Sequence, residues 1–209
     1  MYNIKRGGKF FEMTAFDILD KLTEAANGYL RTSQVLENGI SKPTLAKYVA
    51  DRNMERVARG VYLAEDSWPD AMYHLFLSNS RIIYSHESAL FLHGLMEHEP
   101  VRTSVSVKAG YNAAHLRKKG IRVYQVKPEL AELGKEETRT NFGNTVPVYD
   151  MERTICDIIR RKDSMDIQVF QYAMKEYMAG SQKNLHNLMK YAKIFRIESA
   201  VRTYTEVML

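Results

Sequence analysis

Between residues 32 and 63 the chain sets its turn and cap residues in an order that few folds accommodate. Thr32-Ser33 offer a cap for a short helix through Glu37, Asn38-Gly39 supply a turn whose glycine tolerates positive φ, and Ser41 caps a second helix to about Arg52 with Pro43 in its first turn. Residues 54–64 (MERVARGVYLA) then fit two short β segments folded about Ala58-Arg59-Gly60. Val35 and Leu36 before the turn, and Ile40, Leu45 and Val49 after it, can close a small core. Upstream, Phe11, Ala15, Leu19, Leu22 and Ala26 recur at helical spacing, and Asn27-Gly28 end that helix.

Helix, glycine turn, capped helix and hairpin in this order predict a winged helix-turn-helix. Ser41, Lys42, Thr44, Lys47, Tyr48 and Arg52 are then the residues expected outside the second helix, a mix of cations and hydrogen-bonding groups that suits a major groove. Arg56 and Arg59 fall near the tip of the hairpin, where cations meet phosphates or the minor groove. Double-stranded DNA is the expected partner. The competing interpretation is a small helical domain whose basic face is merely solvated.

Glu65-Asp66-Ser67-Trp68-Pro69 has turn chemistry, so the domain boundary is expected at residues 64–68, with a DNA-binding domain at 1–65 and a second domain at 66–209. Helical and strand periods mix beyond it. Strands are expected at residues 82–84, 103–108, 121–126 and within 142–148, and helices at 70–80, 85–95, 113–119, 151–161, 167–178, 183–195 and from 198 onward. The fold class is therefore α+β, an N-terminal winged helix-turn-helix followed by a mixed α+β domain with a helical C-terminal tail. The net charge is +5 over 209 residues, and residues 101–127 hold seven Lys/Arg against no Asp/Glu. Lys108, Arg117, Lys118, Lys119, Arg122 and Lys127 thus form a second basic surface, open to three roles: a solvated face, another DNA contact, or a site for RNA or an acidic protein.

Catalytic signatures are missing. His86-Glu87 does not open an H-E-x-x-H motif, because Leu90 stands where the second histidine would be; Ser85 is read as a helix cap, and His86 and His93 as structural or solvent-facing. Asp150 reads as an N-cap and Arg153 with Asp157 as an i, i+4 ion pair. Cys156 is a lone thiol and reads as structural. Neither a phosphate-binding glycine loop nor a nucleophile elbow occurs, so no catalytic residue, metal or cofactor is expected. Without an apolar run long enough for a bilayer or the pattern of a signal peptide, the chain is expected in the cytoplasm and off the membrane.

Three short motifs carry a resemblance: Arg56-Val57-Ala58-Arg59-Gly60-Val61-Tyr62, Ser85-His86-Glu87-Ser88-Ala89-Leu90 with His93-Gly94-Leu95, and Tyr149-Asp150 with Glu152-Arg153-Thr154. In this order and spacing the chain resembles the AbiEi antitoxin family over nearly its whole length. The resemblance implies a bifunctional antitoxin and transcriptional autorepressor of type IV: it would bind inverted repeats in its own operon promoter and neutralise a nucleotidyltransferase-like toxin of AbiEii type, without a stable complex, in phage abortive infection. The alternative is a plain winged-helix transcription factor whose second domain senses a ligand or oligomerises.

Overall fold

The computed structural model describes residues 5–6, 9–10 and 13–208. The chain is mixed α+β and divides into two compact units, residues 1–80 with 140–144, and residues 81–139 with 145–209. The first unit therefore runs past the 64–68 boundary expected from turn chemistry.

The first unit contains the paired strands β1 (Lys5–Arg6) and β2 (Lys9–Phe10), then α1 (Ala15–Ala25), β3 (Tyr29–Arg31), α2 (Thr32–Glu37), α3 (Lys42–Asp51), β4 (Glu55–Ala58), β5 (Val61–Leu63) and α4 (Ala71–Ser78). Helix α1 starts at Ala15 because Thr14 and Asp17 form a reciprocal capping box; Phe11, assigned to this helix from its spacing, lies outside the described residues. Asn27 and Gly28 both take positive φ and turn the chain into β3, which the sequence pattern missed. Strand β3 runs directly into α2, so Thr32 does not cap that helix. The cap position is Arg31, with no side-chain hydrogen bond, and the Thr32 amide donates instead to the Gly60 carbonyl at 2.8 Å.

Gly39, at φ +75°, ends α2 as expected, with the Gly39 and Ile40 amides closing on the Leu36 and Val35 carbonyls. Ser41 caps α3 by accepting from the Thr44 amide, with Pro43 in the first turn. Strands β3, β5 and β4 form an antiparallel sheet in that order. Leu19, Leu30, Val35, Ile40, Leu45, Tyr48 and Met54 make the helical core, while Tyr29, Val61 and Leu63 pack with Tyr73 and Leu77 of α4. That second contact is why α4 belongs to this unit.

The turn at residues 140–144 belongs here as well. Asp70, buried, accepts from the Tyr73 amide as the cap of α4 and also from Thr140 Oγ1 and Asn144 Nδ2.

The second unit carries β6 (Ile83–Tyr84), α5 (His86–Leu92), β7 (Ser104–Lys108), α6 (Ala114–Lys118), β8 (Arg122–Val126), β9 (Lys135–Arg139), β10 (Thr145–Tyr149) and helices α7 (Met151–Arg161), α8 (Ile167–Ala179), α9 (Leu185–Phe195) and α10 (Glu198–Met208). The sheet order is β8-β7-β6-β10-β9, with β7/β8 and β6/β10 parallel and the other pairs antiparallel. Strand β9 reads Lys-Glu-Glu-Thr-Arg and shows no apolar alternation, so the sequence gives no sign of it; it is an edge strand and its charges reach solvent. The apolar core joins Leu90 of α5 to Ile155, Ile158 and Ile159 of α7, Phe170, Met174 and Tyr177 of α8, and Leu188 and Ala192 of α9. No helix among the described residues is long and apolar enough to cross a membrane.

Candidate nucleic-acid interface

Helix α3 buries Leu45 and Tyr48 and half-buries Thr44 and Val49, which leaves Lys42, Pro43, Ala46, Lys47, Ala50 and Asp51 exposed. Lys42 and Lys47 make no ion pair among the described residues, so both ammonium groups are free for an external anion. The Ser41 and Thr44 hydroxyls lie 2.9 Å apart and satisfy one another at the helix start. Past the helix, the β4–β5 hairpin exposes Arg56 and Arg59, again without ion pairs among the described residues. A register shift between Arg56 and Ala58 bends β4, and Gly60 at φ +73° closes the turn. A Cβ on Gly60 would come within 3.2 Å of Thr32 Oγ1, so the hairpin sits tightly against the start of α2.

Two residues expected on this face are elsewhere. Tyr48 is only 2% exposed; its ring meets Phe16 edge-on at 5.2 Å and its hydroxyl donates to Asp20 at 2.8 Å. Burial pushes the Tyr48 phenol above its ordinary pKa. Arg52 reaches the same carboxylate, with Nε and Nη2 donating to the two Asp20 oxygens at 3.2 and 2.9 Å. The hydrogen bond to Asp20 holds the Arg52 guanidinium above its usual pKa. The spacing fits this outcome as well as the expected one, because Tyr48 and Arg52 are four apart and share the helix face that carries Leu45. Both line a cleft of about 590 Å³ whose rim carries Asp20, Glu24, Glu65 and Asp66. Four carboxylates against one guanidinium repel a polyanion, so that side of the unit is unsuited to nucleic acid.

The second basic surface is smaller than the sequence count suggests. Lys108 pairs with Glu132 at 2.9 Å and Arg122 with Glu87, which leaves Arg117, Lys118, Lys119 and Lys127 exposed and without ion pairs among the described residues. Their positions on α6, just after it, and at the end of β8 are ordinary solvated ones.

Polar side chains are also packed inside the second unit. Ser104 and Ser106 alternate with Val105 and Val107 along β7, yet the serine face is buried too. Ser104 donates to Glu87, its amide donates to Ser88 Oγ, and Ser106 donates to Ser85 Oγ. Ser85 therefore does not cap α5 with its side chain; its oxygen faces Ser106 and, at 3.1 Å, His86 Nδ1. His86 is 5% exposed, takes φ +51°, and stacks on Tyr124 at 3.5 Å, so the solvent-facing alternative is excluded. Burial lowers its pKa to about 4 and keeps the imidazole neutral. His93 stands just past the end of α5, and its Nε2 lies 2.7 Å from the Tyr149 carbonyl.

Arg153 and Asp157 do pair, at 2.9 Å, but inside the protein and not on its surface. Arg153 also donates to the Leu130 and Leu133 carbonyls and lies 4.4 Å from the rings of Tyr149 and Phe195. Burial pushes the Cys156 thiol up to about 12, the opposite of what a nucleophile requires. Among the described residues no group of three or more His, Cys, Asp or Glu is placed to hold a metal ion.

The comparisons bear on the fold alone. A crystal structure of the RV2827C protein from Mycobacterium tuberculosis matches at a TM-score of 0.56, covering 93% of this chain and 82% of that one at 10% identity. No family model matches the chain, and no curated protein does.

Of the eight residues expected to meet DNA, Lys42, Lys47, Arg56 and Arg59 are exposed and unpaired among the described residues, Ser41 and Thr44 are engaged in the cap, and Tyr48 and Arg52 face the acidic cleft. Pro43, Ala46 and Ala50, absent from those eight, share the exposed face with the lysines. The signal was present in the helical period; side-chain polarity hid it.

Proposed function

We propose that the first unit is a winged helix-turn-helix and that the protein is a DNA-binding autorepressor and antitoxin. The observation that carries the DNA-binding half is the set of four exposed cations, unpaired among the described residues, on two consecutive elements, Lys42 and Lys47 on α3 and Arg56 and Arg59 on the following hairpin. Helix α3 follows a glycine turn, the connection that joins the two helices of a helix-turn-helix. The hairpin cations suit phosphates or the minor groove beside it.

The antitoxin half is supported by the resemblance to the AbiEi family. Under that resemblance the second unit neutralises a nucleotidyltransferase-like toxin encoded beside this gene, and the first unit binds inverted repeats in the shared promoter. Two measurements test the two halves. Duplex DNA from upstream of the gene should bind the full chain with log K falling by about 0.9 per phosphate contact for each decade of salt. Lys47→Ala and Arg59→Ala should each reduce that slope by about one contact. Co-expression with the neighbouring gene should restore growth, and should still do so with both alanine variants. DNA binding without growth rescue would leave a plain winged-helix regulator.

A further inference from the structure

Helix α3, Lys42-Pro43-Thr44-Leu45-Ala46-Lys47-Tyr48-Val49-Ala50-Asp51, contains no Arg, Asn or Gln. Of the side chains that make bidentate pairs, Arg or Lys to guanine and Asn or Gln to adenine, the helix offers Lys42 and Lys47 alone. The nearest arginine, Arg52, is held by Asp20. What α3 exposes instead has a definite order around the helix. At about 100° per residue, Ala46, Ala50 and Pro43 occupy the middle of the exposed face, with Lys42 on one flank and Lys47 on the other. All five are exposed, as is Asp51 beside Lys47 at the outer edge of that flank.

A helix seated in a major groove turns the centre of its outer face to the base edges and its flanks to the two phosphate walls. Small apolar groups at that centre let the helix approach closely, and the one base feature in the major groove that an apolar group recognises is the C5-methyl of thymine. We infer that α3 reads thymine methyl groups through Ala46 and Ala50, with Pro43 beside them, while Lys42 and Lys47 hold phosphates or purine acceptors at the edges. The inference rests on the proposed DNA-binding role of the first unit and names what that role recognises.

The test begins with the full chain and a pool of random-sequence duplexes, from which bound sequences are enriched at moderate salt. The winning duplex is then synthesised with deoxyuridine for thymidine, one position at a time, which removes a methyl and nothing else. Two or more positions should weaken binding by about fourfold each, the worth of one methyl withdrawn from water. In Ala46→Gly and Ala50→Gly variants the thymine and uracil duplexes should approach equal affinity. The measurement on the unaltered protein stands even if a glycine variant loses helix. Equal affinity of the thymine and uracil duplexes at every position, with salt-dependent binding retained, overturns thymine reading and leaves DNA binding intact. Absence of duplex binding at any salt concentration overturns both.

Discussion

The Asp70 carboxylate accepts a hydrogen bond from the Thr140 hydroxyl at 2.6 Å, across 70 positions of sequence and within one compact unit. The same oxygen accepts from Asn144 Nδ2 at 2.9 Å, and the other caps α4 through the Tyr73 amide. The Asp70 amide in turn donates to the Tyr29 hydroxyl, which lies 2.7 Å from His74 Nε2. One buried aspartate thus fixes a helix start, a strand residue and a turn that the chain reaches much later.

Removing that carboxylate leaves three donors without their acceptor in a buried place. Asp70→Ala should destabilise the protein by about 2–4 kcal/mol, since each orphaned buried group costs roughly 1–3 kcal/mol and some are recovered by water. The 140–144 turn should also become susceptible to limited proteolysis. An Asp70→Ala protein as stable and as protease-resistant as the parent would show that the network holds nothing.

Tyr48 and Arg52 lie on the α3 face that carries Leu45 and turn to Asp20, away from the exposed cations of that helix. Tyr48→Phe keeps the buried ring and its contact with Phe16 but deletes the hydrogen bond to Asp20. The expected loss is about 1 kcal/mol of stability with DNA affinity unchanged. A loss of affinity at unchanged stability would put the Tyr48 hydroxyl back on the DNA-facing side.

These two residues also show how far a sequence reaches. The capped, proline-started α3, the Gly39 turn, the hairpin and α7 were all legible, because caps, glycines and apolar period act locally. Arg153 with Asp157 was legible as a pair from its spacing, yet not as a buried one, because burial depends on which helices close over it. Tyr48 misled for the same reason: an amphipathic side chain suits a groove or a core, and only Phe16 and Asp20 decide between them. Strand β9 and the 140–144 turn were illegible, since their places follow from β10 and Asp70, partners distant in sequence.

Arg153→Met should be among the most damaging substitutions in the second unit. It removes the buried partner of Asp157 and the donors to the Leu130 and Leu133 carbonyls, leaving Arg160 as the remaining guanidinium on that carboxylate. Breaking a buried pair from one side costs about 3–5 kcal/mol, so chemical denaturation should show a loss of this size or an unfolded chain. Arg153→Met with Asp157→Leu should recover part of it, because the buried carboxylate left with Arg160 alone is gone; no recovery would place the cost in lost packing on Tyr149 and Phe195.

His86 gives a prediction in pH. An unfolded histidine titrates near 6.5, whereas burial against Tyr124 and Ser85 lowers the folded value to about 4. Between those two values the unfolded chain binds a proton that the folded chain refuses, so this group's contribution is intact above about pH 6.5 and drains away as the pH falls toward 4. A difference of about 2.5 units corresponds to roughly 3 kcal/mol at the acid end. Asp150, whose pKa burial raises, works in the opposite sense, because its folded form takes up a proton more readily than the unfolded chain. Comparison with a variant isolates the histidine. Asn tolerates the positive φ that His86 adopts, so His86→Asn should be less stable at pH 7 but lose less on acidification to about pH 4.5. Equal losses for parent and variant would show that neutral His86 does not set the acid sensitivity of the fold.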